Sequence, residues 1–386
     1  MAYTGLREVT VVHRDGSVAL HEVTVLAGPG ELLVILGPSG SGKSTLLRTI
    51  AGLTSVRSGE VVIAGERVTG LPTHKRNLAM VFEHSSLAPT LDVAANLGFG
   101  LTIRRLPEAE VHDRVLAQAR GLHLTRVLSR KPHTLSAGER GQVGVGRAMV
   151  REPSAFLFDE PLAHLDAAHR GRMRRHVADV VKNTGVTALY VTHDPSDALA
   201  IADRVAVLRD GQVVQIGTPH DLYAYPADML VADFVTSMPI GLLPARVVTS
   251  GAEAGYQVAA RTLPLWASLP AELGEYVGRD VVLGLRVEDV HEGAHDDDPR
   301  RIQLPGIVEH VEFTGPDTLV TVRVAAPAVP VSRADGAGGD ARLRARFGRT
   351  TSVRPGSTVA LSVDASRAHV FDPATGLALL HPAAPA

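Results

Sequence analysis

The sequence predicts an α/β domain followed by a smaller all-β domain, and three observations carry that prediction. Through about residue 235, short β-rich runs alternate with helical stretches, the pattern of a layered α/β arrangement. Within it a compact apolar run, Leu32–Leu36, leads through a glycine-rich turn into the helical run Ser44–Ala51. Beyond about residue 240, strand-like runs follow one another with no long helix between them, which suggests a separate β-barrel-like unit. At 386 residues and about 150 residues per domain, the chain has room for two to three such units.

The elements follow in order. Val9–Val12 and Val18–Leu20 flank an Asp15-Gly16 turn, and Val61–Ile63 precedes Gly65, so a small antiparallel section is expected beside the main sheet. Ala155–Phe158 and Thr187–Val191 read as further buried strands, and Val205–Leu208, Asp210-Gly211 and Val213–Ile216 as a hairpin. Residues 92–150 hold the least strand-like material. Glu108–Leu122 and Ser136–Val150 read as helices, although Gly138, Gly141, Gly144 and Gly146 weaken the second. In the distal region the strand-like runs are Val281–Leu285, Gly306–Val311, Leu319–Val324, Leu343–Phe347 and Thr358–Val363. Two loops, Glu292–Arg300 with its acidic Asp296–Asp298 run and Ser332–Asp340, are read as solvated. No internal repeat is evident by eye. The boundaries expected are 1–237, with a helical insert at about 92–150, and 238–386.

Composition narrows the function classes. Hydrophobic residues make up 45% and charged residues 21%, a globular profile that excludes a disordered, collagenous or fibrous chain. The absence of cysteine excludes disulfides, thiolate metal sites and cysteine nucleophiles. A net charge of -2 provides no whole-chain field for nucleic acid, so no nucleic-acid partner is expected. The opening residues 1–16 show neither a basic leader nor an apolar signal segment, and nowhere do about twenty apolar residues run together, so no membrane span is expected.

The strongest local signal is Gly37-Pro38-Ser39-Gly40-Ser41-Gly42-Lys43-Ser44-Thr45, a G-x-x-x-x-G-K-[ST] loop between a buried strand and a helix. Glycines let backbone amides curve around phosphate oxygens. Lys43 supplies a mobile positive charge, Ser44 a hydroxyl for magnesium, and the helix turns its amino terminus to the anion. A bland Gly/Ser turn would need neither the Lys-Ser ending nor those flanks. Further on, the apolar strand Ala155–Phe158 ends in Asp159-Glu160. Asp159 is expected to hold magnesium through water, and Glu160 to position or polarise the attacking water; the alternative is a solvated acidic turn. Thr192-His193-Asp194 stands at another strand end, where His193 could bridge the transferred phosphate and Glu160. No three-histidine or H-E-x-x-H zinc pattern is present.

Taken together these residues resemble an ATP-binding cassette, the ATPase subunit of carbohydrate importers of the maltose and multiple-sugar type. The family signature loop has its counterpart in Leu135-Ser136-Ala137-Gly138-Glu139, followed by Arg140 and Gly146-Arg147-Ala148. Leu162-Ala163-His164-Leu165-Asp166 matches the D-loop, with Asp166 at the diagnostic acid. Asp203-Arg204 and 217–223 are similar to the end of the importer nucleotide domain, and 284–290 and 371–376 to its accessory barrel. The resemblance covers nearly the whole chain. It implies a cassette nucleotide-binding domain with a helical insert, then a β-barrel-like, OB-type accessory domain.

It implies as well a magnesium-dependent ATPase at the cytoplasmic face of the cell membrane. Two copies would face head to tail, so that Ser136 and the Gly138 backbone of one approach the γ-phosphate held by the other. The partners implied are two transmembrane permease subunits, docking near Ser85–Leu91 and the helical insert, and an extracytoplasmic solute-binding protein. Four positions depart from the family pattern. Glu83 stands for the glutamine that senses magnesium and permease, and Ala137-Gly138 with Glu139 for Gly-Gly with Gln. His13 stands for the aromatic that stacks on adenine, and Ala163-His164 precede Asp166 instead of Ser-Asn. Glu83 adds negative charge beside the triphosphate and, ionised, cannot donate a hydrogen bond. Either turnover slows and is regulated differently, or magnesium is held more strongly with poorer water positioning. With Lys43, Asp159, Glu160 and His193 intact, an active ATPase is expected; the alternatives are a regulatory nucleotide-binding subunit, an importer subunit for glycerol-phosphate, polyamine or another solute, and a non-transport cassette acting in translation or nucleic-acid maintenance.

Overall fold

The computed structural model describes residues 2–82, 87–163, 165–250, 253–265, 269–293, 301–330 and 339–382. Glu83, His84, Ser85, Ser86, His164 and the Asp296–Asp298 run lie outside the described residues. Contacts divide the chain into two units, Met1–Pro219 and His220–Ala386.

In the N-terminal unit, β1 (Thr4–Val12) and β2 (Val18–Ala27) form a hairpin whose turn is tied by Asp15, which accepts from the Ser17 amide at 3.0 Å and hydroxyl at 2.7 Å. With β4 (Ser58–Ile63) and β5 (Glu66–Arg67) they make an antiparallel sheet ordered β2-β1-β4-β5. The main sheet contains β3 (Leu32–Leu36), β6 (Leu78–Val81), β7 (Ala155–Asp159), β8 (Ala188–Thr192), β9 (Arg204–Arg209) and β10 (Gln212–Gly217), in the order β10-β9-β3-β8-β7-β6. Its inner strands are parallel, and β3, β7 and β8 are buried along their whole length. That is why they read as continuous apolar runs without alternation: both faces are covered. α1 (Lys43–Ala51) follows β3 and buries Leu46, Leu47 and Ile50 in a core shared with Leu33, Ile35, Val61, Leu157, Leu189 and Leu208.

The helical insert comprises α2 (Val93–Ile103), α3 (Glu108–Gly121) and α4 (Ala137–Met149). α4 forms despite its glycines for two reasons. A capping box joins Ser136 and Glu139, satisfying two backbone donors of the first turn. Gly146 lets neighbours approach: a Cβ there would lie 2.6 Å from Leu122 Cδ1 and 2.8 Å from Leu97 Cδ2. Asp92 caps α2, and the fully buried Asn96 side chain donates to the Ala88, Leu91 and Asp92 carbonyls while accepting from the Ala88 amide. The segment leading into α2 is thus held by one satisfied buried amide. After the insert, α5 (Ala167–Thr184) and α6 (Pro195–Ile201) complete the unit.

The division at Pro219/His220 falls earlier than the 237/238 boundary read from the change of texture. α7 (Pro219–Ala224) and α8 (Met229–Phe234) belong with the distal strands by their hydrogen bonds. The Met229 amide donates to Gly376 O at 2.9 Å, and the Ala378 amide to Ala227 O at 3.0 Å. The C-terminal unit is more than one barrel. β11 (Gly241–Ser250), β12 (Glu253–Val258), β13 (Arg261–Pro264), β14 (Asp280–Leu285), β20 (His369–Phe371) and β21 (Ala378–Leu380) form a sheet ordered β13-β12-β11-β14-β20-β21. β15 (Val290–Glu292), β16 (Arg301–Phe313), β17 (Asp317–Pro327), β18 (Asp340–Gly348) and β19 (Thr358–Asp364) close a barrel ordered β15-β18-β17-β16-β19. One apolar core, including Leu243, Tyr256, Leu283, Val320, Leu343 and Phe347, joins sheet and barrel. Among the described residues no helix is long and apolar enough to cross a membrane.

Candidate functional site

The phosphate loop leaves the carboxyl end of β3, where parallel strands deliver their loops to one sheet edge. Gly37 passes so close to β9 that a Cβ would sit 2.2 Å from Leu208 O. Gly42, with φ 101, caps α1 without a side-chain hydrogen bond. The first intrahelical bond runs from the Leu46 amide to Gly42 O at 2.9 Å, so the amides before it have no partner within the helix. Lys43 is 5% exposed, and its ammonium donates to Gly37 O and Pro38 O at 2.8 Å each. Burial pulls its pKa down, while Glu160 and Asp159 pull it back up.

Two strand ends bring the acids. Asp159, the last residue of β7, is buried and accepts from Ser44 Oγ at 2.9 Å. Glu160 follows with φ 46, a left-handed backbone rarely adopted by an L-residue. Its amide donates to Val191 O at 3.0 Å, which anchors this turn to β8. His193, just past β8, sets Nδ1 2.7 Å from Glu160 Oε2. The open cleft in front has a volume of about 580 Å³ and is lined by Ser39, Gly40 and Gly42 to Thr45 of the loop, by Glu160 and by His13, Ser17, Val18 and Ala19. The structure therefore brings Lys43, Ser44, Asp159, Glu160 and His193 together and puts His13 on the rim of the same cleft.

A triphosphate fits this lining. Positive charge from Lys43 and the unpartnered first-turn amides lie on one wall. Magnesium fits too: Ser44 and Asp159 offer adjacent oxygens, and that ion takes few protein ligands when phosphate and water supply the others.

Sequence reading missed one wall of the cleft. Asp210 (φ 48) and Gly211 (φ 74) form the tight turn between β9 and β10 and line it. The Gly211 amide donates to Ser41 O at 3.0 Å, and the His21 amide donates to Gly211 O at 2.9 Å. The Asp210-Gly211 signal was legible as a hairpin turn; what that turn touches was not.

Ser136, Ala137, Gly138, Glu139 and Asp166 do not line this cleft. Ser136 starts α4, its Oγ accepting from the Glu139 amide at 3.2 Å while the Ser136 amide donates to Glu139 Oε2 at 2.7 Å. That bond holds the Glu139 carboxyl below its ordinary pKa. Asp166 caps α5, accepting from the His169 amide at 3.0 Å. Arg286 and Glu288, read as structural or interfacial, lie in the C-terminal unit. Arg286 is 5% exposed, with its guanidinium carbon 3.6 Å from the centre of the Tyr223 ring. It donates to Tyr223 O at 2.6 Å, and the Tyr223 hydroxyl donates to Glu288. Burial, then the neighbouring Glu288, pushes Asp289 up to about 6. Burial, then Arg286 and His381, pushes His369 down to about 3.

Comparison with known proteins agrees with this division of labour. The ABC transporter family profile matches residues 20–163, and the TOBE domain profile residues 283–371. The chain is 37% identical to the trehalose/maltose import ATP-binding protein MalK of Thermococcus litoralis, over 97% of this chain and 99% of that protein. It is 38% identical to the sn-glycerol-3-phosphate import ATP-binding protein UgpC of Cereibacter sphaeroides, again over 97% and 99%. The trehalose import ATP-binding protein SugC of Mycobacterium tuberculosis is 37% identical over 99% of each chain. Among solved structures, the dimeric ATP-binding cassette MJ0796 in a post-hydrolysis state with ADP and Pi is 28% identical, with a TM-score of 0.52 over 56% of this chain and 98% of that one. The cassette cbiO1 of Clostridium perfringens is 26% identical, with a TM-score of 0.54 over 58% and 92%.

Proposed function

The chain belongs to the ABC transporter ATP-binding proteins that carry a TOBE domain, and on that premise we propose that it hydrolyses ATP to energise import of a sugar or oligosaccharide. The observation that carries the motor reading is the meeting of Lys43, the Ser44–Asp159 pair and the Glu160–His193 pair around one cleft.

In this reading the first-turn amides of α1 and Lys43 hold the β- and γ-phosphates. Magnesium, when bound beside Ser44 and Asp159, supplies positive charge to the phosphate oxygens. Glu160 orients the attacking water and takes its proton. His193 keeps the Glu160 carboxylate turned to that task through the 2.7 Å contact. His13 offers an imidazole face to the adenine, a smaller surface than Tyr or Trp. Glu83 is proposed as a further oxygen near magnesium.

The chemistry needs a second copy. Neither Ser136 nor Asp166 lines its own chain's cleft, which supports head-to-tail pairing in which each signature loop covers the other's triphosphate. The Ser136 hydroxyl accepts from the Glu139 amide, so its proton stays available to a γ-phosphate oxygen. Ala137 adds one methyl there, a modest obstacle. Closure on two ATP and reopening after hydrolysis would move two transmembrane permease subunits, placing this chain peripherally at the cytoplasmic face of the membrane, with an extracytoplasmic solute-binding protein delivering the cargo. A glycerol-phosphate importer is the specific second reading, favoured by a relative of equal similarity.

Copurification of the chain with its permeases, magnesium-dependent phosphate release by that complex, and reconstituted uptake across candidate sugars and glycerol 3-phosphate test the proposal. Saturable uptake of one sugar is expected. Uptake of glycerol 3-phosphate alone moves the assignment to the second reading, and no phosphate release by the assembled complex defeats the motor itself.

A further inference from the structure

Away from the triphosphate cleft, α5 carries Arg172, Arg175, His176 and Asp179 at i, i+3, i+4 and i+7, one stripe of a helix. That stripe, with Gly121, Leu122 and His123 at the end of α3 and Gln142 on α4, lines a second cleft of about 280 Å³. The approach of α3 to α5 depends on a missing side chain: a Cβ on Gly121 would sit 2.6 Å from His176 Cε1. His123 takes φ 56, a conformation that costs an L-residue about 1–2 kcal/mol, and brings its imidazole to this cleft.

Three donors here, the exposed Arg172 and Arg175 and the Gln142 amide, have no protein partner among the described residues. Gln142 is only 8% exposed, yet its side-chain amide meets no hydrogen-bond partner among the described residues. Arg172 and Arg175 likewise meet no carboxylate within ion-pair distance among the described residues. Their neighbours Arg170 and Arg174 differ, pairing with Asp194 at 2.7 Å and Asp197 at 3.1 Å. Gln118 Nε2 stands 3.0 Å from His176 Nε2 and, donating to it, leaves the ring proton on Nδ1. Burial lowers the His176 pKa, so that ring is a neutral donor. Asp179 is the one carboxylate in the lining.

We propose that this cleft is a binding site for a small oxyanion, a phosphate or carboxylate group held by Arg172 and Arg175 and completed by the Gln142 amide. A guanidinium fork matches such an oxygen pair in geometry and charge. The Gln142 amide opens to the cleft without a protein partner among the described residues, so an acceptor entering the cleft can take its donor. The volume accommodates the anionic group with a short carbon skeleton. Occupancy would tie α4, which begins at Ser136, to α5, which is capped by Asp166. The inference goes beyond the import reading and is independent of the solute.

The test titrates the full chain, carrying Lys43→Ala to weaken the triphosphate cleft, with inorganic phosphate and separately with succinate, and the ring resonances of His123 and His176 tell the second cleft from the first. The His123 and His176 ring resonances and the heat of binding are followed. Saturable shifts of both rings are expected with at least one probe; phosphate alone identifies a phosphoester ligand, succinate alone a carboxylate. Arg172→Gln/Arg175→Gln should weaken binding at least about tenfold. Gln142→Leu should weaken it about threefold or more without lowering the melting temperature, because it deletes an unpartnered amide. No shift with either probe overturns the proposal, as does undiminished affinity in the double arginine variant. Should that variant not fold, undiminished affinity in Gln142→Leu overturns it alone.

Discussion

Charged side chains are gathered in both units, but under opposite conditions. In the N-terminal unit Lys43, Asp159, Glu160 and His193 converge on an open cleft, held by backbone carbonyls and by one another. In the C-terminal unit Arg286, Asp289 and His369 are packed inward, and Arg286 is stacked on Tyr223 and bonded to main-chain oxygen. The first cluster borders open space, where the proposed triphosphate would sit. The second is a set of struts whose pKa values are displaced because burial disfavours charge. Displaced titration therefore marks chemistry only where space for a reactant adjoins it.

The comparison can be broken most severely at Glu160. Glu160→Gln should lower magnesium-dependent phosphate release by about 10²–10⁴-fold while ATP binding persists, as a stopped turnover assay beside a nucleotide-binding assay would reveal. In the C-terminal unit the corresponding loss should appear in stability and leave nucleotide binding intact. Arg286→Leu abandons Tyr223 O and the nearby acids, and chemical denaturation should register a loss of about 3 kcal/mol.

A pH series sharpens the contrast. His369 is held at about 3 against its ordinary 6.5, so the native state binds fewer protons than the unfolded chain in that window, and stability falls as pH drops through it. Asp289, held at about 6 against 3.8, acts oppositely and stabilises as pH falls from about 6. The two slopes nearly cancel where they overlap, so from this pair the melting temperature should decline on acidification from about pH 6.5 to 6, stay nearly level to about pH 4 and decline again towards about pH 3. His369→Phe should turn that level stretch into one in which the melting temperature rises as pH falls from about 6 to 4. The smallest effect belongs to the exposed Arg246–Asp280 pair at 2.9 Å: a double-mutant cycle should return no more than about 0.5 kcal/mol. A coupling several times larger would mean that exposed and buried pairs here do not differ in kind.

The phosphate loop, the strand-end acids and the helical insert were legible because each is specified within a few neighbouring residues. Leu32–Leu36 is apolar throughout because both sheet faces are covered, and Lys43-Ser44 follows it directly. What escaped is non-local. The runs that became β11, β12 and β13 contain Pro244, Gly255 and Pro264, residues that weaken a strand signal although pairing of β11 with β14, β12 with β11 and β13 with β12 fixes them as a sheet. The Asp210-Gly211 turn showed its geometry in sequence, but its bond to Ser41 depends on strand order. Gln142 and His176 lie 34 positions apart, on helices that meet only after folding. The change of texture near residue 240 marked where strands begin, whereas contacts divide the chain where α7 and α8 begin to serve them.

The left-handed turn at Glu160 has an engineering consequence. Glycine would adopt φ 46 without the penalty of roughly 1–2 kcal/mol that a side chain incurs. Directed evolution that rewards heat resistance alone would therefore tend to accept glycine at this position, and with Glu160 in its proposed role the hardiest survivors of such a screen would be subunits that no longer fire.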